Sequence, residues 1–428
     1  MSFFYKLSAM GCSLLTIPLT LHYLELKSYG IWLTLTSIVG WFGFFDGGLG
    51  NGLKNRLSEA LSKNDLQKAR SYITVAYVGI AGVVTCIILA FFTINLFLDW
   101  GRILKSPLTM STEINTVIYV VFILFGIRLI VDLISVILSA QQLVSTVSLI
   151  TLIINVVILA GTYVITQVVH SQKLLYLGTF ISVVPVVILI IASLFFFTGT
   201  YRHLRPEIVH FDVTVLKEIV SLGMTFFVIQ IAGLVIFSSD NLIITQLFGS
   251  GEVTNYNICY RYFGILTTGW IIVITPYWIA FNEAFVKKEF EWIRKTIIFL
   301  MKAWALLSVG AIAFLIMSPT IYRLWIGGGI GIPFKLSFFM TIFIILSTNI
   351  NICYHFLNGA GKVRIQFYIA IFGGLINIPL TILCAKTFHM GISGVILGTS
   401  LSLFIGGVVM WIQTYKVMHR RDTGIWSK

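Results

Sequence analysis

Apolar runs of twenty residues or more succeed one another from Phe3 to Tyr415, each broken only by a short polar turn. A run of that length crosses the ~30 Å hydrocarbon layer of a bilayer as one helix, whereas a membrane barrel shows alternating strands of about ten residues. Charged residues are 11% of the chain and hydrophobic ones 58%, with a mean hydropathy of +0.97, against about a quarter charged in an ordinary soluble domain. No water-soluble surface can be assembled from that composition. The sequence predicts an all-α membrane protein.

Twelve transmembrane helices are expected, near residues 3–24, 30–50, 71–98, 114–140, 144–168, 174–199, 216–247, 254–281, 296–322, 333–358, 364–387 and 391–415. The first lacks a small-residue cleavage site and runs straight into a second span, so it reads as a helix and not as a signal peptide. With the N-terminus placed in the cytoplasm, twenty Lys and Arg residues fall on inside segments and seven on outside loops. That bias predicts both termini inside. It also accounts for the net charge of +13 without a nucleic-acid partner. The longest outside loops are about 15 residues, too short for a catalytic domain outside the bilayer, so the chain is not expected to be an enzyme.

A repeat sets the architecture. Glu59-Ala60-Leu61, Lys63, Asp65-Leu66 and Arg70 match Glu283-Ala284-Phe285, Lys287, Glu289-Phe290 and Arg294 at an offset of 224. Ile154-Asn155-Val156 matches Ile376-Asn377-Ile378 at 222, and Leu177-Gly178-Thr179 matches Leu397-Gly398-Thr399 at 220. Three ordered matches at nearly one offset predict two six-helix bundles, residues 1–205 and 206–428. An even helix count relates them by a pseudo-two-fold along the membrane normal, with a cleft between them.

Few ionisable residues fall inside the spans, where each must face protein or a wet cavity. Arg128 and Asp132 are four apart on one helix face, either a cavity cation tuned by its neighbour or a self-neutralising pair. Asp240 and Arg261 flank Gly249-Ser250-Gly251 at similar distances and are expected at matching depth, paired across a hairpin. Asp46 lies beside Gly47, Gly48, Gly50 and Gly52 at the mouth of the second span, where glycines allow close approach or local unwinding. Asn155 and Asn377 are expected to bond between helices. The basic amphipathic segments 54–70 and 283–295 read as helices at the water surface. Cys12, Cys86, Cys259, Cys353 and Cys384 are scattered singly, a pattern of buried hydrophobes and not of disulfides or metal ligands. No Ser/His/Asp set, phosphate loop or metal spacing is present, so no cofactor or catalytic residue is expected.

Tyr29-Gly30-Ile31-Trp32-Leu33-Thr34-Leu35, then Trp41-Phe42-Gly43-Phe44-Phe45-Asp46-Gly47-Gly48-Leu49-Gly50-Asn51-Gly52-Leu53, resembles the Wzx-type O-antigen or polysaccharide flippases. These belong to the multidrug/oligosaccharidyl-lipid/polysaccharide exporter superfamily. The likeness continues through Asn55-Arg56-Leu57-Ser58-Glu59-Ala60 and returns at Ser239-Asp240-Asn241-Leu242-Ile243-Ile244 and Tyr256–Tyr262. The resemblance implies alternating access in the bacterial inner membrane, moving undecaprenyl-diphosphate-linked oligosaccharide units between leaflets. It implies membrane lipid, an O-antigen polymerase and a chain-length regulator as partners. It also implies a cationic cavity, for which Arg128, Arg261 and Lys6 are the available positions. Coupling to an ion gradient then needs an acid, and Asp46, Asp132 and Asp240 are placed for that role. A multidrug exporter on the same fold is the alternative.

Overall fold

The computed structural model describes residues 1–43, 49–107, 110–207, 212, 214–216, 239–327, 331–421 and 423–427. Among them, ten helices are long and apolar enough to cross a membrane. The chain divides into two units, Met1–Ile231 and Ala232–Lys428.

The first unit holds α1 (Ser2–Trp41), α2 (Leu49–Ser62), α3 (Leu66–Asn95), the short α4 (Trp100–Ile103), α5 (Ser111–Val131), α6 (Leu133–Ala140), α7 (Val144–Val168) and α8 (Lys173–Thr198). α1 doubles back at Glu25, whose φ of 65° and ψ of 166° interrupt the helix. Ser2 Oγ lies 2.8 Å from Ser148 Oγ, and the Tyr23 hydroxyl donates to Val169 O at 2.8 Å. The arm before Glu25 therefore runs parallel to α7. Ser28 meets Met110 Sδ, and Phe42 packs edge-on against Phe122 at 4.8 Å, so the arm after Glu25 runs parallel to α5. Glu113 Oε1 accepts from Leu174 N and Leu175 N. That satisfies two of the free N–H groups at the start of α8 and sets the start of α5 beside the point where α7 ends. The two arms are thus antiparallel, one for each of the first two expected spans.

Glu25 occupies a backbone region that is essentially reserved for glycine and costs another residue about 1–3 kcal/mol. Glu25→Gly should relieve that strain, less about 0.5–1 kcal/mol for glycine's greater freedom in the unfolded chain. The expected result is a net gain of about 1 kcal/mol, seen as a raised Tm in detergent. An unchanged or lowered Tm would show that the reversal is not strained.

The second unit holds α9 (Asp240–Phe248), α10 (Ser250–Val286), α11 (Phe290–Ile326), α12 (Phe334–Gly359), α13 (Arg364–Ile382) with a widened last turn at Leu383–Thr387, and α14 (Ile392–Met418). Most of the expected seventh span, 216–247, lies outside the described residues. The repeat reappears in the backbone. Gly249, at φ 94° and ψ 165°, makes the same one-residue reversal as Glu25, 224 positions later. Asn64 and Lys288, also 224 apart, both have positive φ, 55° and 60°. Five backbone hydrogen bonds around each correspond one for one, from Lys63 N to Glu59 O and Lys287 N to Glu283 O onward.

Those turns correct one expectation. Segments 54–70 and 283–295 are not lone surface helices but corners joining two helices each. In the first unit Leu53, Leu57 and Ala60 of α2 are buried with Ile73 and Ala76 of α3 and Ile137 of α6. Asp65 caps α3 by accepting from Lys68 N. The apolar face is spent on protein, and the charges remain outside. There Lys63 and Arg56 hydrogen-bond the Glu59 carboxyl and hold it below its ordinary value.

Candidate functional site

The second unit contains a buried polar chain built by two close helix pairs. Gly249 lets α9 reverse into α10 with no loop, so residues sixteen apart face each other. Tyr256 Oη donates to Asp240 Oδ2 at 2.5 Å, and Asn257 Nδ2 donates to Asn241 Oδ1 at 2.7 Å. On the other side, Gly394 and Gly398 of α14 form a small-xxx-small pair. Cβ atoms at these glycines would sit 2.5–2.6 Å from backbone atoms of Thr381, Cys384 and Ala385. Backbones can approach that closely only where no side chain stands between them. The approach sets Asn377 of α13 beside Thr399 of α14.

Asn377 Nδ2 donates to Thr399 Oγ1 at 3.2 Å, and Thr399 Oγ1 donates to Asp240 Oδ1 at 3.4 Å. The chain is therefore Asn377 to Thr399 to Asp240, with Tyr256 closing it from the opposite side. All four residues are buried, Asp240 to 5% and Asn377 to 0% exposure. Asn377 Oδ1 and Thr381 Oγ1 have no hydrogen-bond partner among the described residues. A buried acceptor left unpaired costs about 1–3 kcal/mol. No described cation lies within ion-pair distance of Asp240. The set has the donors and acceptors to hold a proton or a small cation against the carboxylate.

The expected Asp240–Arg261 pair does not form. The reversal turns on Gly249 alone, so the residue level with Asp240 is Tyr256, and Arg261 lies more than a helical turn further along α10. Arg261 is half-buried and Arg128 is exposed on α5. Asp132 sits at the junction of α5 and α6, exposed, and accepts from Ser135 Oγ at 2.9 Å. It forms no ion pair with Arg128. Lys6 is exposed in the first turns of α1. Among the described residues none of these three cations has a hydrogen-bonded or ion-paired partner, and Asp46 lies outside the described residues. Asn155 bonds Thr151 O in its own helix at 2.8 Å, so of the two repeat asparagines only Asn377 reaches across.

Tyr256 and Thr399 were not singled out as site residues by sequence reasoning. A signal for Thr399 existed, since the second and third repeat matches contain Asn377 and Thr399. Tyr256 opens a stretch that carries the family resemblance, but nothing in the sequence paired it with Asp240, because that pairing depends on the hairpin register. The first unit has no acid at the corresponding place. Thr16, 224 positions before Asp240, bonds Cys12 O, and Trp32, 224 before Tyr256, would lie 2.8 Å from a Cβ at Gly178. A cavity of about 390 Å³ in this unit is lined by Leu35, Ile38, Phe42, Phe91, Phe122 and other apolar groups, and offers a charged head nothing.

The family model described as "Polysaccharide biosynthesis protein" matches residues 2–278. Among curated proteins none matches. The fold is similar to the inward-facing conformation of a multidrug resistance MATE family transporter of the MOP superfamily, with TM-score 0.80 and 13% identity over 98% of each chain. The outward-facing conformation of such a transporter gives TM-score 0.68 and 13% identity, covering 98% of this chain and 94% of that one. A MATE crystal structure in the bent conformation gives TM-score 0.60 at 14% identity, covering 98% and 95%.

Proposed function

As this chain belongs to the polysaccharide biosynthesis protein family, a multi-pass membrane protein on a MATE-like fold, we propose that it is a flippase for lipid-linked oligosaccharide. The substrate is an undecaprenyl-diphosphate carrying a sugar repeat unit, moved between the leaflets of a bacterial inner membrane by alternating access. Both termini face the cytoplasm, and the flipped units pass to an O-antigen polymerase with its chain-length regulator. The family match is the observation that carries this reading.

The physical chemistry fits the task. A diphosphate and several sugars cannot cross hydrocarbon unaided, because each desolvated polar group costs kilocalories. A wet passage lets the head travel while the polyprenyl tail stays in lipid. Arg128, Arg261 and Lys6 lack a described protein partner and can meet phosphate oxygens. An uncompensated buried carboxylate costs several kcal/mol. Asp240 is therefore the coupling acid, taking up a proton or small cation in one opening and losing it in the other.

Arg128→Ala and Arg261→Ala should each lower delivery of oligosaccharide units about tenfold, the loss of one charge-assisted hydrogen bond of ~1.5 kcal/mol. Arg→Lys at either position should retain more. The assay is surface display of the polymer in cells with matched protein levels. Full display from both alanine variants would remove these cations from the mechanism. The likeness to multidrug transporters supports a second reading, export of cationic drugs. It predicts resistance conferred by the chain and no dependence on lipid-linked sugar.

A further inference from the structure

We propose that the second unit carries a binding site for one anionic phospholipid, in the groove between α12 and α14. The groove has a volume of about 660 Å³ and is walled by Leu346, Ile350, Phe404, Val408, Trp411 and Ile412, with Lys416 and Arg421 at one end. It is apolar along its length and cationic at its mouth, the pattern of a lipid chain with its phosphate.

Three observations point to that occupant. The first is length. From Phe404 to Lys416 is twelve helical residues, ~18 Å, which matches one leaflet's share, ~15 Å, of the hydrocarbon layer. A chain entering beside Lys416 would be buried down to the bilayer midplane. The second is the stripe Phe404, Val408, Ile412 and Tyr415 on α14, exposed by 53%, 45%, 43% and 51%, which leaves the groove open along one side for a tail to enter.

The third is charge and its support. Lys416 Nζ stands 4.0 Å over the Trp426 ring. The Trp426 carbonyl accepts from Gln413 Nε2 at 3.4 Å, so the C-terminal turn folds back and holds that cation at the mouth. Arg421 N donates to Lys416 O at 2.8 Å, which keeps the second cation alongside. Neither has a carboxylate partner among the described residues. Asp422, the one acid between Lys416 and Lys428, lies outside them. Deeper in the wall, Trp411 Nε1 donates to Asn349 Oδ1 at 2.6 Å. The indole's one polar atom is thereby satisfied by protein, and its ring is left to line the groove beside Tyr415, at the level where Trp and Tyr meet headgroups.

The test uses the full-length purified protein and brominated phospholipids, which quench nearby tryptophan fluorescence. Brominated phosphatidylglycerol should quench the fraction of emission that Trp411→Phe removes, and should bind about twenty-five-fold more tightly than brominated phosphatidylcholine, two cations at about fivefold each. Lys416→Ala/Arg421→Ala, one in the last turn of α14 and the other three residues beyond its end, should abolish that preference while leaving quenching by either lipid at the weaker affinity. Equal binding of the two lipids by the wild type would overturn the proposal, as would a preference that survives the double variant. So would quenching unchanged in Trp411→Phe, or displacement by undecaprenyl phosphate but not by unbrominated phosphatidylglycerol, which would assign the groove to substrate.

Discussion

Asp240→Asn is expected to lower gradient-driven transport at least tenfold in proteoliposomes while leaving the protein folded. Asparagine's single carbonyl oxygen can accept from the Tyr256 hydroxyl, and its amide N–H then faces Thr399 Oγ1 as a donor instead of an acceptor, so the side chain stays hydrogen-bonded in place with one bond reversed. What it loses is the charge that a proton or small cation would neutralise. Transport down the substrate's own gradient should fall much less than transport driven by a proton or sodium gradient, because only the second requires coupling. Asp240→Ala should lose transport and also stability. It leaves the buried Tyr256 hydroxyl without a partner, a cost of about 1–3 kcal/mol. Initial rates with and without each ion gradient, at matched reconstitution, decide the matter. A fully gradient-dependent rate in Asp240→Asn would remove the acid from coupling and leave it a structural acceptor.

The largest structural effect is expected at Gly398. A methyl group there would lie 2.5 Å from Thr381 Cα and 2.6 Å from Thr381 N, backbone atoms that cannot rotate away. α13 and α14 must separate, and Gly398→Ala should lose about 3 kcal/mol, the upper end of an ordinary overpacking penalty. Separation also draws Thr399 from Asn377, so transport should fall with stability. Gly264→Ala in α10 is the control. A Cβ there meets nothing within 4 Å, and alanine in a helix interior should gain about 0.5–1 kcal/mol over glycine. Thermal unfolding of both variants in the same detergent should move in opposite directions. A Gly398→Ala protein as stable as the wild type would mean that the two helices are held apart by something else.

The membrane helices were legible because hydrocarbon imposes a length and an apolar composition that no other setting demands. The duplication was legible for a different reason. Its matches fall beside turns and on close contacts, as in the residues flanking Asn64 and Lys288 and at Gly178/Gly398. Depth along a helix could also be read, and it placed Asp240 below the hairpin tip. Which residue faces it could not. That depends on whether the reversal takes one residue or three, and a Gly-Ser-Gly sequence permits either. The error of a few positions exchanged a salt bridge with Arg261 for a hydroxyl donor from Tyr256. The role of Thr399 was hidden in the same way, since a threonine in a membrane helix most often bonds its own backbone four residues earlier, as Thr16 does. The basic corners misled by their periodicity, because an amphipathic pattern does not say whether the apolar face meets lipid or protein.

A reversal made by one residue has no slack. Adding a single residue between Phe248 and Ser250 would advance everything after it by ~100° around the helix axis, turning the Tyr256 ring away from Asp240 and breaking the Asn241–Asn257 bond in the same stroke. Connections that look like harmless places to insert an epitope or a cysteine for topology mapping are therefore unequal in this molecule. Gly249 and Glu25 act as rulers, and reporters belong elsewhere.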